Sequence, residues 1–228
     1  MKQKSIRNWW YYYKWYVLIG LILLGILIYI AGNALGIWKR TPDLQIAYVG
    51  RAPLPEDTKD ALEQAFASVA DDYNKDGQVL VQINQYIDSG RETSSDPAYE
   101  YGSEIALIGD ITKGDSYIFL MDDPESFQLS WHILSAADGT KPQDTDYSTE
   151  DKVFLWSQSP VLSHLDLGTY HSNTLGMEET GSSQEWVSGL YVGRRYFSPD
   201  KTPPYETQYS QLWEHILPTT QEVMDHET

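Results

Sequence analysis

The chain has 228 residues, of which 33 are acidic and 16 are basic, and it contains no cysteine. The lack of cysteine excludes a disulfide framework, a thiolate metal site, a thiol nucleophile and a lipidated N-terminal cysteine. All the acidic residues follow Arg40, so residues 41–228 carry 33 acidic and 10 basic side chains and a net charge of −23. Such a domain repels nucleic acid and anionic lipid headgroups, and we expect no nucleic-acid partner.

An uncharged segment from Trp15 to Trp38 is long enough to cross a bilayer as a helix. Aromatic residues crowd its first end and a tryptophan marks its last, which is typical of interfacial belts. The sequence therefore predicts a transmembrane helix at 15–38, after a cytoplasmic segment at 1–14 and before an extracellular domain. The orientation follows from the basic residues that precede the span and outnumber the two that follow it: Lys2, Lys4, Arg7 and Lys14.

The flanks of this segment leave some alternatives open. Small residues at 34–36 make a cleaved signal peptide the alternative to a retained anchor. Residues 39–43, KRTPD, predict a short linker that holds the domain close to the membrane. Glycines within the span could allow close packing with other membrane helices: Gly20, Gly25, Gly32 and Gly36.

Strands and helices alternate in the first half of the domain. Short apolar runs predict strands at 44–50, 78–86 and 116–122. The third run is continuously apolar, as expected for a central strand that is covered on both faces. Alternation of this kind predicts an α/β domain with a mostly parallel, doubly wound sheet.

Three helices are expected between and after these strands. The first begins at Pro55, and the other two begin after the cap residues Asp96 and Asp123, each followed by proline. Helical spacing predicts their buried stripes as Leu62, Phe66, Val69 and Ala70; Tyr101, Ile105 and Ile108; and Phe127, Trp131 and Leu134.

The second half is less regular. Strands are predicted at 152–157 and 185–197, separated by a stretch rich in glycine, serine and threonine, and a closing helix at 206–217. We expect residues 44–217 to form one domain and residues 218–228 to form a polar tail.

Residues 44–134, from LQIAYVG through a helix ending in GDITKGD to FLMDDPESF, resemble one lobe of an extracytoplasmic solute-binding protein of the type 2 periplasmic-binding fold. The whole chain, with its WWYYYKWYVLIG start, is also similar to single-span membrane-anchored proteins of Gram-positive bacteria. The first resemblance implies a solute-binding lobe. The second implies a location at the cell membrane and no particular activity.

Ligands of open α/β sheets bind at the carboxyl ends of the strands, so the residues there are the candidate ligand-binding residues. Loop solvation, turn formation and helix capping are the alternative roles for each of them. The candidates are Arg51, Tyr86, Asp88 and Asp122, with Gly50 and Asp123 beside them.

The sequence contains no recognisable catalytic motif. The five histidines lack metal-binding spacing, and neither a nucleophile elbow nor a phosphate-binding glycine loop is present, so we assign no catalytic residue. Arg194 and Arg195 either bind an anion or act as internal ion-pair partners. The tryptophans of the domain either stack on sugars or belong to the core: Trp131, Trp156, Trp186 and Trp213.

The stretch DYNKDGQVLVQ has part of the ligand pattern of a calcium loop. Asp72, Asn74 and Asp76 occupy positions 1, 3 and 5, and Gln78 offers its backbone carbonyl at position 7. An apolar residue at position 12 excludes an EF-hand, but the stretch resembles the calcium loop of galactose/glucose-binding periplasmic proteins. The alternative is a metal-free turn with Gly77 at positive φ. We therefore expect that no cofactor is required and that any calcium here would be structural.

Together these patterns predict a membrane-anchored, non-catalytic binding or interaction module outside the cytoplasm. Its expected partners are the membrane, a small solute, or a membrane or envelope protein such as a transporter. Two alternatives remain: an extracellular hydrolase with dispersed catalytic residues, and a structural subunit of a membrane assembly.

Overall fold

The computed structural model describes residues 2–34, 41–88, 97–174, 177–198 and 202–218. Some sequence predictions fall outside these residues: the cleavage motif at 35–36, Trp38 at the end of the span, the linker at 39–40, the cap residue Asp96, and the tail from 219 onward.

The N-terminal unit, residues 1–41, is built on one long helix, α1 (Lys2–Ala34). Its stretch Trp9–Gly32 is long and apolar enough to cross a membrane, as judged by length and composition. The stretch contains no proline, and its leucines favour helix. The helix begins well before Trp15, so the basic and aromatic residues of the predicted cytoplasmic segment belong to it.

The second unit, residues 42–228, contains a five-stranded sheet, a separate hairpin and five helices among its described residues. In chain order the elements are β1 (Leu44–Gly50), α2 (Glu56–Val69), β2 (Val81–Ile87), α3 (Pro97–Lys113), β3 (Ile118–Met121), α4 (Pro124–Trp131), β4 (Val153–Leu155), β5 (Thr169–Thr174), β6 (Met177–Ser182), α5 (Ser183–Val187), β7 (Tyr191–Arg194) and α6 (Glu206–Ile216).

The central sheet has the strand order β2-β1-β3-β7-β4. Strand β1 pairs in parallel with β2 and β3, whereas β7 runs antiparallel to both β3 and β4. Four of the five strands therefore point the same way, and the prediction of a mostly parallel α/β sheet is confirmed. Strands β5 and β6 form an antiparallel hairpin apart from this sheet.

Apolar side chains cover both faces of the sheet. On β1, Ile46 and Tyr48 belong to a core that also holds side chains of α2, α5 and α6, while Ala47 and Val49 belong to a second core with α3 and α4. All four residues of β3 are fully buried, as expected from its continuously apolar sequence. The sheet is therefore covered by helices on both sides, and the carboxyl ends of β1, β2 and β3 lie at one edge.

Several local predictions are confirmed. Leu62 and Phe66 of α2 are fully buried, and α6 occupies the region predicted for the closing helix. Asp123 caps α4, because its Oδ1 accepts the backbone N–H of Ser126 at 3.0 Å, and Pro124 occupies the first helical turn. Helix α4 ends at Trp131, which is only partly buried.

Part of the predicted strand at 185–197 is helical. The hydroxyl of Ser182 accepts the N–H of Glu185 at 3.3 Å, and this cap starts the short helix α5. Within the predicted strand, Tyr191–Arg194 pairs with the sheet as β7, and Arg195 forms an isolated bridge with Leu134.

The predicted buried stripe of α3 is wrong. Tyr101, Ile105 and Ile108 are 67%, 52% and 44% exposed. The side of α3 that faces the sheet carries Leu107 and the polar residue Asp110, both buried. Hydrogen bonds, rather than the apolar stripe, fix the orientation of this helix.

A candidate ligand cavity at the carboxyl end of the sheet

A cavity of about 680 Å³ lies where β2, α3 and α4 meet. This volume is within the usual range of small-molecule sites. It is found at the carboxyl end of β2, the edge where ligands of open α/β sheets bind. The polar and aromatic residues that line it are Tyr86 and Asp88 of the β2 end, Glu100, Tyr101, Ser103 and Glu104 of α3, and Ser126, Ser130 and Trp131 of α4.

Helix α3 is attached to β2 by hydrogen bonds next to the cavity. The hydroxyl of Ser103 accepts the backbone N–H of Ile87 at 2.6 Å. The hydroxyl of Tyr86 donates to Asp110 at 2.7 Å, and Asp110 also accepts from the backbone N–H of Ser116 at 2.9 Å. These contacts attach α3 to β2 at two points, at Ser103 near the end of its second turn and at Asp110 near its C-terminal end.

Tyr86 offers the cavity its ring rather than a free hydroxyl. Burial raises the pKa of this hydroxyl above its usual value, and the hydrogen bond to Asp110 acts in the same direction. The group therefore stays protonated and donates to Asp110 at any physiological pH.

The cavity wall is acidic. Asp88, Glu100 and Glu104 contribute carboxylates, and none of the described residues that line the cavity is a lysine, arginine or histidine. Trp131 and Tyr101 add aromatic rings. An acidic wall with aromatic rings suits a cation, because carboxylates attract it and π faces stabilise it.

The four predicted ligand-binding residues fall into two groups. Tyr86 and Asp88 line the cavity. Arg51 and Asp122 instead contact each other, since the Arg51 backbone N–H donates to Asp122 Oδ2 at 2.7 Å. The Arg51 guanidinium is 3.6 Å from Asp123, and both side chains are largely exposed.

The connection after β1 requires glycine at position 50. A Cβ atom there would lie 2.0 Å from the Tyr48 hydroxyl oxygen and 2.9 Å from Asp122 Oδ2. The Tyr48 hydroxyl donates to the carbonyl of Ala52 at 2.8 Å. This close packing joins the ends of β1 and β3 and gives Arg51 and Asp122 a structural role.

Residues of α3 and α4 complete the cavity, and strand-end reasoning does not find them. The paired Glu100 and Glu104, one turn apart at the start of a helix, are the signal in the sequence that points to them. Trp131 is the one tryptophan of the domain at the cavity, whereas Trp156 and Trp213 are fully buried. Trp186 is partly buried and its ring lies 5.9 Å from that of Tyr48.

The predicted calcium loop joins α2 to β2, and its side-chain oxygens accept backbone N–H groups. Asp72 Oδ2 accepts from Gly77 at 2.8 Å, Asn74 Oδ1 from Asp76 at 2.8 Å, and Asp76 Oδ1 from Gln78 at 3.0 Å. Gly77 has φ of 90°, as predicted for a tight turn. Within the described chain, no group of three or more His, Cys, Asp or Glu side chains is placed to hold a metal ion.

A buried aspartate supports this loop from outside it. Asp43 is fully buried, and its Oδ1 accepts the N–H groups of Tyr73 and Asn74 at 2.9 and 3.0 Å. Its Oδ2 accepts the N–H of Leu80 at 2.9 Å. Asp43, assigned above to the linker, therefore fixes both ends of the loop.

The two adjacent arginines are internal, but their partners are mostly neutral. Arg194 donates to Ser135 and to the Tyr117 hydroxyl, both at 3.1 Å, and lies 5.4 Å from the Trp213 ring centre. Arg195 donates to the carbonyl of Ile111 at 2.9 Å. Burial lowers the pKa of Arg195, while nearby carboxylates act against this effect. Neither arginine has a carboxylate within ion-pair distance among the described residues, and the hydrogen bonds of both go to neutral groups.

No protein-family model, curated protein or solved structure matches this chain. The candidate site therefore rests on its own geometry and chemistry.

Proposed function

We propose that this chain is a membrane-anchored, non-catalytic module that binds a small cationic solute outside the cytoplasm. The acidic, aromatic-walled cavity between β2, α3 and α4 is the observation that carries the proposal. The helix α1 supplies the membrane attachment, and the basic residues at its start favour a cytoplasmic N-terminus.

The chemistry of the wall selects the ligand class. Asp88, Glu100 and Glu104 each already interact with another group of the chain, so a bound cation would share these carboxylates, and their negative charges disfavour anionic solutes. The rings of Trp131 and Tyr101 can cover an alkylammonium or a guanidinium group, an arrangement worth about 0.5–2 kcal/mol per contact. Ser103, Ser126 and Ser130 add hydroxyls for the polar part of the ligand. Organic amines and cationic amino acids meet these requirements.

The sheet topology supports a binding role. The order β2-β1-β3, with all three strands parallel, is the arrangement in which ligands bind beyond the carboxyl ends of the strands. It is also compatible with the proposed resemblance of residues 44–134 to one lobe of a solute-binding protein.

Thermal unfolding of the full chain in detergent, with and without candidate solutes, tests this function. Spermidine, lysine and choline represent the cations, glutamate is the anionic control and glucose is the neutral one. At a concentration one hundred times its Kd, a ligand stabilises by about 2.7 kcal/mol, which raises Tm by about 5–10 °C in a domain of this size. We expect such a rise with at least one cation and none with glutamate.

Two substitutions locate the binding. Glu104→Gln should weaken the response at least about tenfold in Kd, because a carboxylate that faces the bound cation is lost. Glu125→Gln is the matched control, since Glu125 is exposed on α4 and does not line the cavity. Equal responses of the two variants, or no response to any cation, would contradict the proposal.

The orientation has a separate test. Protease added to intact cells that express the chain should digest the domain, because the proposal places it outside. Digestion only after lysis would place the domain in the cytoplasm.

A further inference from the structure

The outward side of α3 is an apolar surface that is exposed among the described residues of the domain. We define the outer face of α3 as the residues that share this side: Ala98, Tyr101, Gly102, Ile105, Ala106, Ile108 and Thr112. Tyr101 stands at the border of this face, because its ring also lines the cavity. Each residue of the outer face is exposed, and Tyr101 and Ile105 are more than half exposed. Isolated apolar residues are common on protein surfaces, but a continuous apolar helix face indicates an interaction site.

Helix α3 turns most of its large apolar side chains outward, while Leu107 and Ile111 pack inward. Its inward side carries Ser103 and Asp110, which bond to β2 and to the segment before β3. A surface helix normally turns its apolar stripe to the core and its polar side to water. The hydrogen bonds of Ser103 and Asp110 hold these two residues against the rest of the domain. The apolar side of the helix therefore faces outward and remains available to a partner.

The charge of the outer face favours another copy of this chain over a lipid surface. Residues 41–228 have a net charge of −23, yet the outer face of α3 contains no acidic residue. Helices that lie on membranes carry several basic residues beside their apolar side, whereas Lys113 is the one basic residue of α3. Two acidic domains approach each other most easily where few carboxylates meet. Glu104, which lies between Tyr101 and Ile108 along the helix and lines the cavity, is the carboxylate beside the outer face.

The shape of the outer face is self-complementary. Tyr101, Ile105 and Ile108 project from it, and Gly102 and Ala106 lie between them. A Cβ atom at Gly102 would meet nothing within 4 Å, so the space above this residue is open. Two copies related by a two-fold axis can therefore place the large side chains of one helix over the small residues of the other.

The area of the outer face indicates a weak dimer that depends on the shared membrane. Two or three large side chains and their small neighbours offer on the order of 500 Å² of surface. A stable dimer in solution buries about 800 Å² from each partner. Tethering two copies in one membrane raises their effective concentration to the millimolar range, which compensates for the smaller area. We propose that the domain forms a two-fold homodimer through the outer face of α3 when the chain is held in a membrane.

Disulfide trapping tests this dimer, and the cysteine-free chain makes single-cysteine variants unambiguous. Gly102→Cys places a thiol on the outer face without a steric clash. Gln64→Cys places one at an exposed position on α2 and serves as the control. In the full chain reconstituted in phosphatidylcholine vesicles, mild oxidation should cross-link Gly102→Cys at least about tenfold faster than Gln64→Cys.

A second substitution separates dimerisation from random collision. Ile105→Glu, added to Gly102→Cys, should reduce the cross-linked fraction at least about tenfold, because it introduces a carboxylate into the apolar contact. Near-ultraviolet circular dichroism would verify that this variant is folded. Equal cross-linking at the two cysteines, or no effect of Ile105→Glu, would overturn the proposal. It would also fall if the vesicles protect the thiol of the uncross-linked Gly102→Cys variant from a water-soluble maleimide, because the bilayer would then cover the face.

Discussion

Replacement of Asp43 should destabilise the domain more than any exposed acidic substitution. This buried carboxylate accepts the backbone N–H groups of Tyr73, Asn74 and Leu80 at 2.9–3.0 Å. Hydrogen bonds to a charged group contribute about 1.5–3 kcal/mol each. Asp43→Ala loses all three and leaves the N–H groups without their acceptor, so we expect a loss of about 5 kcal/mol in the free energy of unfolding, near the lower end of their sum.

Asp43→Asn gives a graded version of the same test. An asparagine keeps one oxygen, which can still accept from Tyr73 and Asn74, but its NH₂ group then faces the N–H of Leu80. We expect a loss of about 2 kcal/mol, equivalent to a decrease in Tm of about 4–8 °C for a domain of this size. Asp60→Asn is the matched control, because Asp60 is exposed on α2 and should change stability by less than about 0.5 kcal/mol.

Two measurements on the full chain in detergent check this reasoning. Thermal unfolding followed by near-ultraviolet circular dichroism reports the packing of the domain. Amide hydrogen exchange reports the loop directly, and the amides of Tyr73, Asn74 and Leu80 should exchange faster in Asp43→Asn. If Asp43→Asn has the Tm of Asp60→Asn, or if the three amides keep their exchange rates, the argument from the buried carboxylate fails.

Three other features of the domain can be tested by Tm measurements. Burial raises the pKa values of Tyr73 and Tyr209 to about 12. As pH rises, the unfolded chain loses these protons before the folded chain does, so the stability of the domain should fall between pH 10 and 12. An unchanged Tm across this range would contradict this prediction. The Lys152 side chain is buried, whereas its partners Asp146 and Asp151 are 38% and 65% exposed. Lys152→Met should cost about 2 kcal/mol, whereas Lys75→Met, at an exposed position, should cost almost nothing. Equal Tm values would show that the ion pairs of Lys152 do not stabilise the domain. In the 72–78 loop, side-chain oxygens accept hydrogen bonds from backbone N–H groups. Removal of calcium with EGTA should therefore leave Tm unchanged. A decrease in Tm of more than about 2 °C would support the calcium interpretation instead.

Local chemistry explains what the sequence could predict. The apolar runs of β1 and β3, the stripe of α2, the Asp123 cap and the positive φ of Gly77 each depend on residues close together in the chain. Strand-end reasoning also identified Tyr86 and Asp88, because the end of a parallel strand is a position that the sequence marks with a turn.

Contacts between residues that are distant in the chain explain which features could not be predicted from the sequence. Helical spacing identifies an apolar stripe on α3 but not the direction in which the stripe points. That direction depends on Asp110 and its bonds to Tyr86 and Ser116. Likewise, the contributions of α3 and α4 to the cavity follow from how the two helices pack beside the end of β2, which no local pattern specifies.

The position of β1 has a mechanical consequence. This strand follows α1 along the chain, and it pairs over seven residues with β2 and over four with β3. Under the proposed anchoring, a pull from the membrane would act on the start of this interior strand. The force would shear the backbone hydrogen bonds that β1 makes with β2 and with β3. Since many hydrogen bonds would then have to break together, the domain should resist pulling at its attachment point much better than at a strand on the edge of the sheet.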